Sequence, residues 1–140
     1  DWSSDVCSSD LWTIEKNGAP MLNGRPIKVS ERERLADAIA TVGFSKSREA
    51  LEASFGRFKR ISVEVRKTRM LGSAALALAY IACGRLDAYV EEQISEWDIA
   101  AGRMLLEAAG GKFITEPSRT HEGKLFICAT NGKVDLNALL

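Results

Sequence analysis

Between residues 71 and 84 the chain carries no charge and is dominated by Ala, Leu and Ile. Such a stretch predicts a helix buried on all sides, and it is too short to span a bilayer. Gly72 and Ser73 stand where that helix begins, so its first backbone N–H groups are left to face an anion or a sugar hydroxyl. Gly84 supplies the C-terminal stop. Over residues 86–91, apolar Leu86, Ala88 and Val90 alternate with Asp87, Tyr89 and Glu91. This is the period of a half-buried strand whose polar face ends on a carboxylate. After a short loop, Trp97 and Asp98 precede a second Ala-rich helix over residues 99–109, closed by Gly110 and Gly111. Asp98 is placed at its N-cap or first turn, and Trp97 is expected to anchor the loop by packing.

The remaining segments alternate between strand and helix. Residues 12–15 and 27–29 read as hairpin strands, 38–44 as a buried strand, 47–58 as an amphipathic helix and 61–65 as an alternating strand. Residues 112–115 and 125–129 add two more strands, with Pro117 and Gly123 between them, and 134–140 begin a last helix. No internal repeat is present. The expected fold class is α/β, an α+β layered sandwich in which a mixed sheet is flanked by helices.

Composition narrows the function classes. With 140 residues and 46% hydrophobic content, the chain suits one domain with a core of its own. Nineteen basic residues balance nineteen acidic ones, which gives no charge bias toward nucleic acid or membrane. The cysteines Cys7, Cys83 and Cys128 are odd in number and are expected to be reduced thiols. His121 is the only histidine, lies in a polar turn, and cannot assemble a zinc site by itself. The basic run Lys59, Arg60, Arg66, Lys67 and Arg69 could meet phosphate, and its plainer reading is a solvated surface.

The candidate chemistry sits at the central junction. Glu91 and Asp98 lie seven positions apart on either side of a strand-to-helix step, an arrangement that suits a metal or phosphate site. From position alone two plainer readings stay open: Asp98 as a helix cap and Glu91 as a solvated strand end.

The stretch GSAALALAYIACGRLDAYVEEQISEWDIAAG, residues 72–102, with the closing Gly110-Gly111, resembles the C-terminal signature region of the inositol monophosphatase family. The family pattern runs G-S/T-A-A, a helix, A-x-G-x-x-D-A/G-Y/F-x-E, then W-D-x-A-A-G and G-G. Upstream, KNGAPMLNGRPIKVSE resembles the family's hairpin segment, with Asn23-Gly24 at its tight turn. The likeness covers roughly residues 12–134. It implies the C-terminal half of the inositol monophosphatase and fructose-1,6-bisphosphatase type of fold. Carried over by position, it makes Asp98 a magnesium ligand and Glu91 the acceptor of substrate hydroxyls, with Gly72, Ser73 and Ala74 lining the substrate. The implied activity is Mg2+-dependent hydrolysis of a small phosphorylated polyol such as inositol 1-phosphate. A cytoplasmic enzyme, homodimeric when intact, follows from the same likeness, with no nucleic-acid or membrane partner.

Three features depart from that pattern. The loop Glu92-Gln93-Ile94-Ser95-Glu96 replaces a smaller, Gly-containing one, and Ala108 stands where the family has Glu in E-A-G-G. The family's earlier Glu and its D-P-I/L-D-G-T loop, which supply the other metal-binding carboxylates, are absent from this chain. Residues 1–11, DWSSDVCSSDL, resemble an in-frame translation of a common short-read library adapter. The expected organisation is therefore an adapter-derived or disordered tail over 1–11, followed by a C-terminal α/β domain over 12–140 that lacks its N-terminal half and is inactive alone. The alternative is a non-catalytic α/β binding or interaction domain on the same scaffold.

Overall fold

The computed structural model describes residues 9–15, 18–45 and 47–140. Eight residues of the adapter-like segment lie outside them, Cys7 included. The first described elements form a small antiparallel sheet of β1 (Trp12–Thr13), β2 (Met21–Leu22) and β3 (Arg25–Pro26). Asn23 and Gly24 turn the chain between β2 and β3 with φ of 51° and 75°, the left-handed pair that a two-residue hairpin turn requires. Residues 27–29 are not a strand, as expected from sequence, but a connection; Val29 donates its N–H to Ala109 O at 3.1 Å instead. Leu11 exchanges hydrogen bonds with Asn23, and Asp10 pairs with Arg85 at 2.6 Å. The last two residues of the adapter-like segment therefore pack on the hairpin.

The main sheet has the order β5-β4-β6-β8-β7. Strand β4 (Ile39–Val42) is parallel to both β5 (Lys67–Arg69) and β6 (Ala88–Ile94), whereas β8 (Leu125–Thr130) runs antiparallel to β6 and to β7 (Lys112–Pro117). From β4 the chain moves one way to β5 through helix α1 (Arg48–Glu64), then back across β4 to β6 through α2 (Ala74–Ala82). Right-handed crossovers in opposite directions put these helices on opposite faces. One core forms under α1 around Ile61, Val90 and Cys128; the other forms under α2 and α3 (Glu96–Ala108) around Leu78, Ile81, Leu106 and Ile127.

Four local expectations are corrected. Residues 61–64 continue α1 rather than forming a strand: Ser54, Arg57, Ile61 and Val65 are buried at helical spacing, and Val63, which a period of two would bury, is 75% exposed. Strand β6 runs to Ile94 and is covered on both faces, because it lies in the middle of the sheet. Trp97 does not anchor the loop by packing; it is 80% exposed at the start of α3, with the Lys124 ammonium 5.4 Å from its ring centre. Residues 134–140 contain only a 3-10 turn at Asn137–Leu139. Among the described residues Cys83 and Cys128 are free, the basic run is exposed, and no helix is long and apolar enough to cross a membrane.

One buried charge ties the layers together. Asp87, fully buried just before β6, accepts from the Ser30 hydroxyl, from the Ile39 N–H at 2.7 Å, and from Arg32 at 2.9 and 3.1 Å. Asn131 completes the cluster by donating to Ser30 Oγ at 2.9 Å and Arg32 O at 2.8 Å. We therefore expect Asp87→Asn to destabilise the fold by about 2–4 kcal/mol, because the Arg32 charge loses its partner and an amide cannot accept all four bonds. Arg34→Ala, which breaks the exposed pair with Asp37, should hardly move the transition. Equal effects of the two substitutions in urea denaturation would show that the buried cluster is not what holds the connection to the sheet.

Candidate active site

A cavity of about 380 Å³ opens at the C-terminal ends of the parallel strands β4 and β6, where open α/β sheets bind ligands. All five residues singled out from sequence line it: Gly72, Ser73 and Ala74 at the start of α2, Glu91 on β6, and Asp98 on α3. Gly72 takes a φ of +69°, a left-handed conformation that glycine adopts without strain, and so turns the chain into α2. Ser73 then caps the helix, its hydroxyl accepting from Leu76 N at 3.3 Å. That leaves the first helical N–H groups beside the cavity.

Glu91 is held from two sides. The Tyr89 hydroxyl, two residues back on the same face of β6, donates to one carboxylate oxygen. On the other side Gly43 follows β4, and a β-carbon there would fall 2.0 Å from Glu91 Oε2 and 2.2 Å from Cδ, so any side chain at that position would displace the carboxylate. Burial pushes the Glu91 carboxyl above the usual carboxylate range, the Tyr89 hydrogen bond pulls it down, and the negative charge of Asp98 pushes it up again. Burial, then the charge of Glu91, pushes the Tyr89 hydroxyl far above its ordinary value, so it serves as a fixed donor.

Asp98 is not the helix cap. Ser95 occupies that position, and Asp98 lies in the first turn, donating its own N–H to Ser95 O at 3.1 Å. Its carboxylate is exposed on the cavity wall, at a helix N-terminus that favours negative charge. The geometry therefore separates Asp98 from the capping alternative. Among the described residues no group of three or more His, Cys, Asp or Glu is placed to hold a metal ion. Sequence reasoning missed Thr41, Gly43 and Tyr89, which also line the cavity. The signal for Gly43 was present, a glycine inside the stretch read as a buried strand, which marks a close approach.

These features coincide with a clear relationship to known proteins. The sequence profile of the inositol monophosphatase family matches residues 5–138. The Nus factor SuhB of Xylella fastidiosa is 39% identical over 108 residues, 76% of this chain and 39% of that protein. The inositol-1-monophosphatase of Mesorhizobium japonicum is 39% identical over 103 residues, 73% of this chain and 39% of that protein. The structure of inositol monophosphatase from Anabaena superposes with a TM-score of 0.81 at 37% identity, over 92% of this chain and 52% of that one. The chain thus spans about two-fifths to one-half of the length of these relatives.

The burial of Glu91 yields a stability prediction. Its folded-state affinity for a proton is raised above the ordinary 4.5, so the ionised carboxylate weakens the fold above that pH and the neutral form does not. Glu91→Gln should raise the unfolding midpoint at pH 7, and the gain should shrink as pH falls to 4.5 and below. A variant that is less stable than the parent at pH 7 would contradict this assignment.

Proposed function

Since the chain belongs to the inositol monophosphatase family, we propose that it forms the substrate-side half of a Mg2+-dependent phosphatase acting on small phosphorylated polyols such as inositol 1-phosphate. The observation that carries this reading is the convergence of all five motif residues on one cavity. On this reading residues 12–140 are the C-terminal α/β domain and residues 1–11 an adapter-derived tail whose last two residues rest on it. Cytoplasmic residence and a homodimeric intact enzyme, which the family likeness implies, belong to the same proposal.

The chemistry of the donors supports a division of labour. Asp98 offers a hard, exposed carboxylate oxygen of the kind magnesium accepts, and is the residue here that would hold the ion. Bound magnesium would polarise the phosphoryl oxygens and lower the pKa of an attacking water. With one such carboxylate the chain alone binds the ion weakly, because magnesium keeps its waters unless several ligands converge. Glu91 has one oxygen engaged by Tyr89, which leaves the other to accept a hydrogen bond from a substrate hydroxyl. The start of α2 presents main-chain N–H groups to the same space, a favourable place for the substrate's oxygens.

The expected outcome for the chain as it stands is no measurable Mg2+-dependent release of phosphate from inositol 1-phosphate. Turnover above the blank that disappears in Asp98→Ala would contradict this. In the full-length protein the two carboxylates should separate by role. Asp98→Asn should raise the magnesium concentration for half-activity and lower kcat. Glu91→Gln should raise KM by roughly tenfold, the effect of losing one charge-assisted hydrogen bond of about 1.5 kcal/mol, with little change in magnesium response. An unaltered magnesium response in Asp98→Asn would remove the metal-ligand assignment and leave Asp98 a helix-terminus carboxylate with a structural role only.

A further inference from the structure

Glu91 and Asp98 face one cavity only because the strand between them breaks step. From Glu91 to Ile94 strand β6 advances three residues, while its partner β8 advances two, from Ile127 to Leu125; β6 carries one extra residue, a bulge. In an unbroken strand Glu91 and Gln93 would share a face and Ile94 would fall on the opposite one. Here Glu91 and Ile94 both line the cavity, and Glu92 turns the other way to meet Arg57 of α1. The step restores the cavity face just before Ser95 opens α3, so that Asp98 arrives on the same wall as Glu91.

The residue that makes the step is Gln93. Its φ is +62°, a left-handed conformation uncommon for a residue with a side chain, so surrounding contacts must hold it there. Its amide supplies them. Nε2 donates to Ser47 Oγ at 2.7 Å and to Thr120 Oγ1 at 2.9 Å. Ser47 is the N-cap of α1, and Thr120 belongs to the turn joining β7 to β8. A glycine would adopt the backbone freely but could not make either bond.

We infer that Gln93 is a positioning residue: by anchoring a left-handed bulge to α1 and to the β7–β8 turn, it sets the placement of Asp98 relative to Glu91. The inference rests on the proposed role of those two carboxylates, but its geometric part can be measured without them. The experiment uses the isotopically labelled chain, with residual dipolar couplings of the β6 and α3 amides and a Mn2+ titration read as paramagnetic broadening of the Asp98 amide. In Gln93→Ala the α3 couplings should change relative to those of β6, and the Mn2+ concentration for half-maximal broadening should rise roughly tenfold, as for loss of an outer-shell support. Thr120→Val, which removes one anchor and leaves the β6 backbone alone, should shift both readouts in the same direction by less. It decides the question if Gln93→Ala does not fold. Unchanged couplings together with an unchanged Mn2+ response in the folded variants would overturn the inference. Changed couplings in a chain whose parent shows no Mn2+ broadening at Asp98 would uphold the positioning role and remove the metal reading.

Discussion

The buried carboxylate of Asp87 is the constraint on which the rest of the structure depends. An ionised group without water is tolerated only when several donors converge on it, and the donors gathered there, together with the residue that braces them, come from three parts of the chain. Ser30 and Arg32 belong to the connection after the hairpin, and Ile39 to the start of β4; Asn131, after β8, braces Ser30 and Arg32 in turn. Satisfying this one charge therefore fixes where β6 starts relative to β4 and β8. Because β6 is the central strand, fixing its start places both cores and the cavity at its far end.

Four residues further along, the same strand carries a second partly buried carboxylate treated in the opposite way. Among the described residues Glu91 accepts one side-chain hydrogen bond, from Tyr89, and it sits against Gly43, where an added β-carbon would displace its carboxylate. A carboxylate that accepts four hydrogen bonds from three donors is locked, whereas one that accepts a single bond keeps acceptor capacity for a ligand. On the proposed reading, Asp87 and Glu91 show how one residue class can serve as a structural clamp or as a recognition group according to the number of donors around it. Close approach without side chains recurs beneath the site. Gly102 of α3 faces Leu78 of α2, and an added β-carbon would lie 2.8 Å from Leu78 Cβ. The two helices that border the cavity can pack this closely because that position is bare.

Much of this was legible in the sequence, and the misses have physical causes. The uncharged run before Gly84 is α2, the Asn23-Gly24 turn is where its dipeptide places it, and all five candidate site residues reach one cavity. Local pattern failed where tertiary context supplies the partner. Ile61, Val63 and Val65 satisfy a period of two as readily as Ile61 and Val65 satisfy a period of four, and only packing against the sheet selects the helix, leaving Val63 in solvent. Tyr89 read as the polar face of a half-buried strand because nothing local reveals that α2 and α3 cover that side. Trp97 read as an anchor from residue type alone, and the helix start turns it outward. The bulge at Gln93 left no pattern in hydrophobicity, since its signature is a φ value and two long-range hydrogen bonds.

The cavity has its shape although the chain spans only part of the length of its relatives. Its walls depend on contacts within this chain: the Asp87 cluster at one end of β6, the Gln93 bulge at the other, and the close contact of α2 with α3. On the proposed reading, the remaining metal-binding carboxylates come from elsewhere in the intact protein and meet a surface that is already formed. Such preorganisation favours catalysis, because groups held in place before the ligand arrives need no reorganisation when it binds. It also accounts for the exposure of Asp98. On the same reading, with Ser95 at the N-cap position, Asp98 keeps both carboxylate oxygens open to an ion and to ligands from another segment.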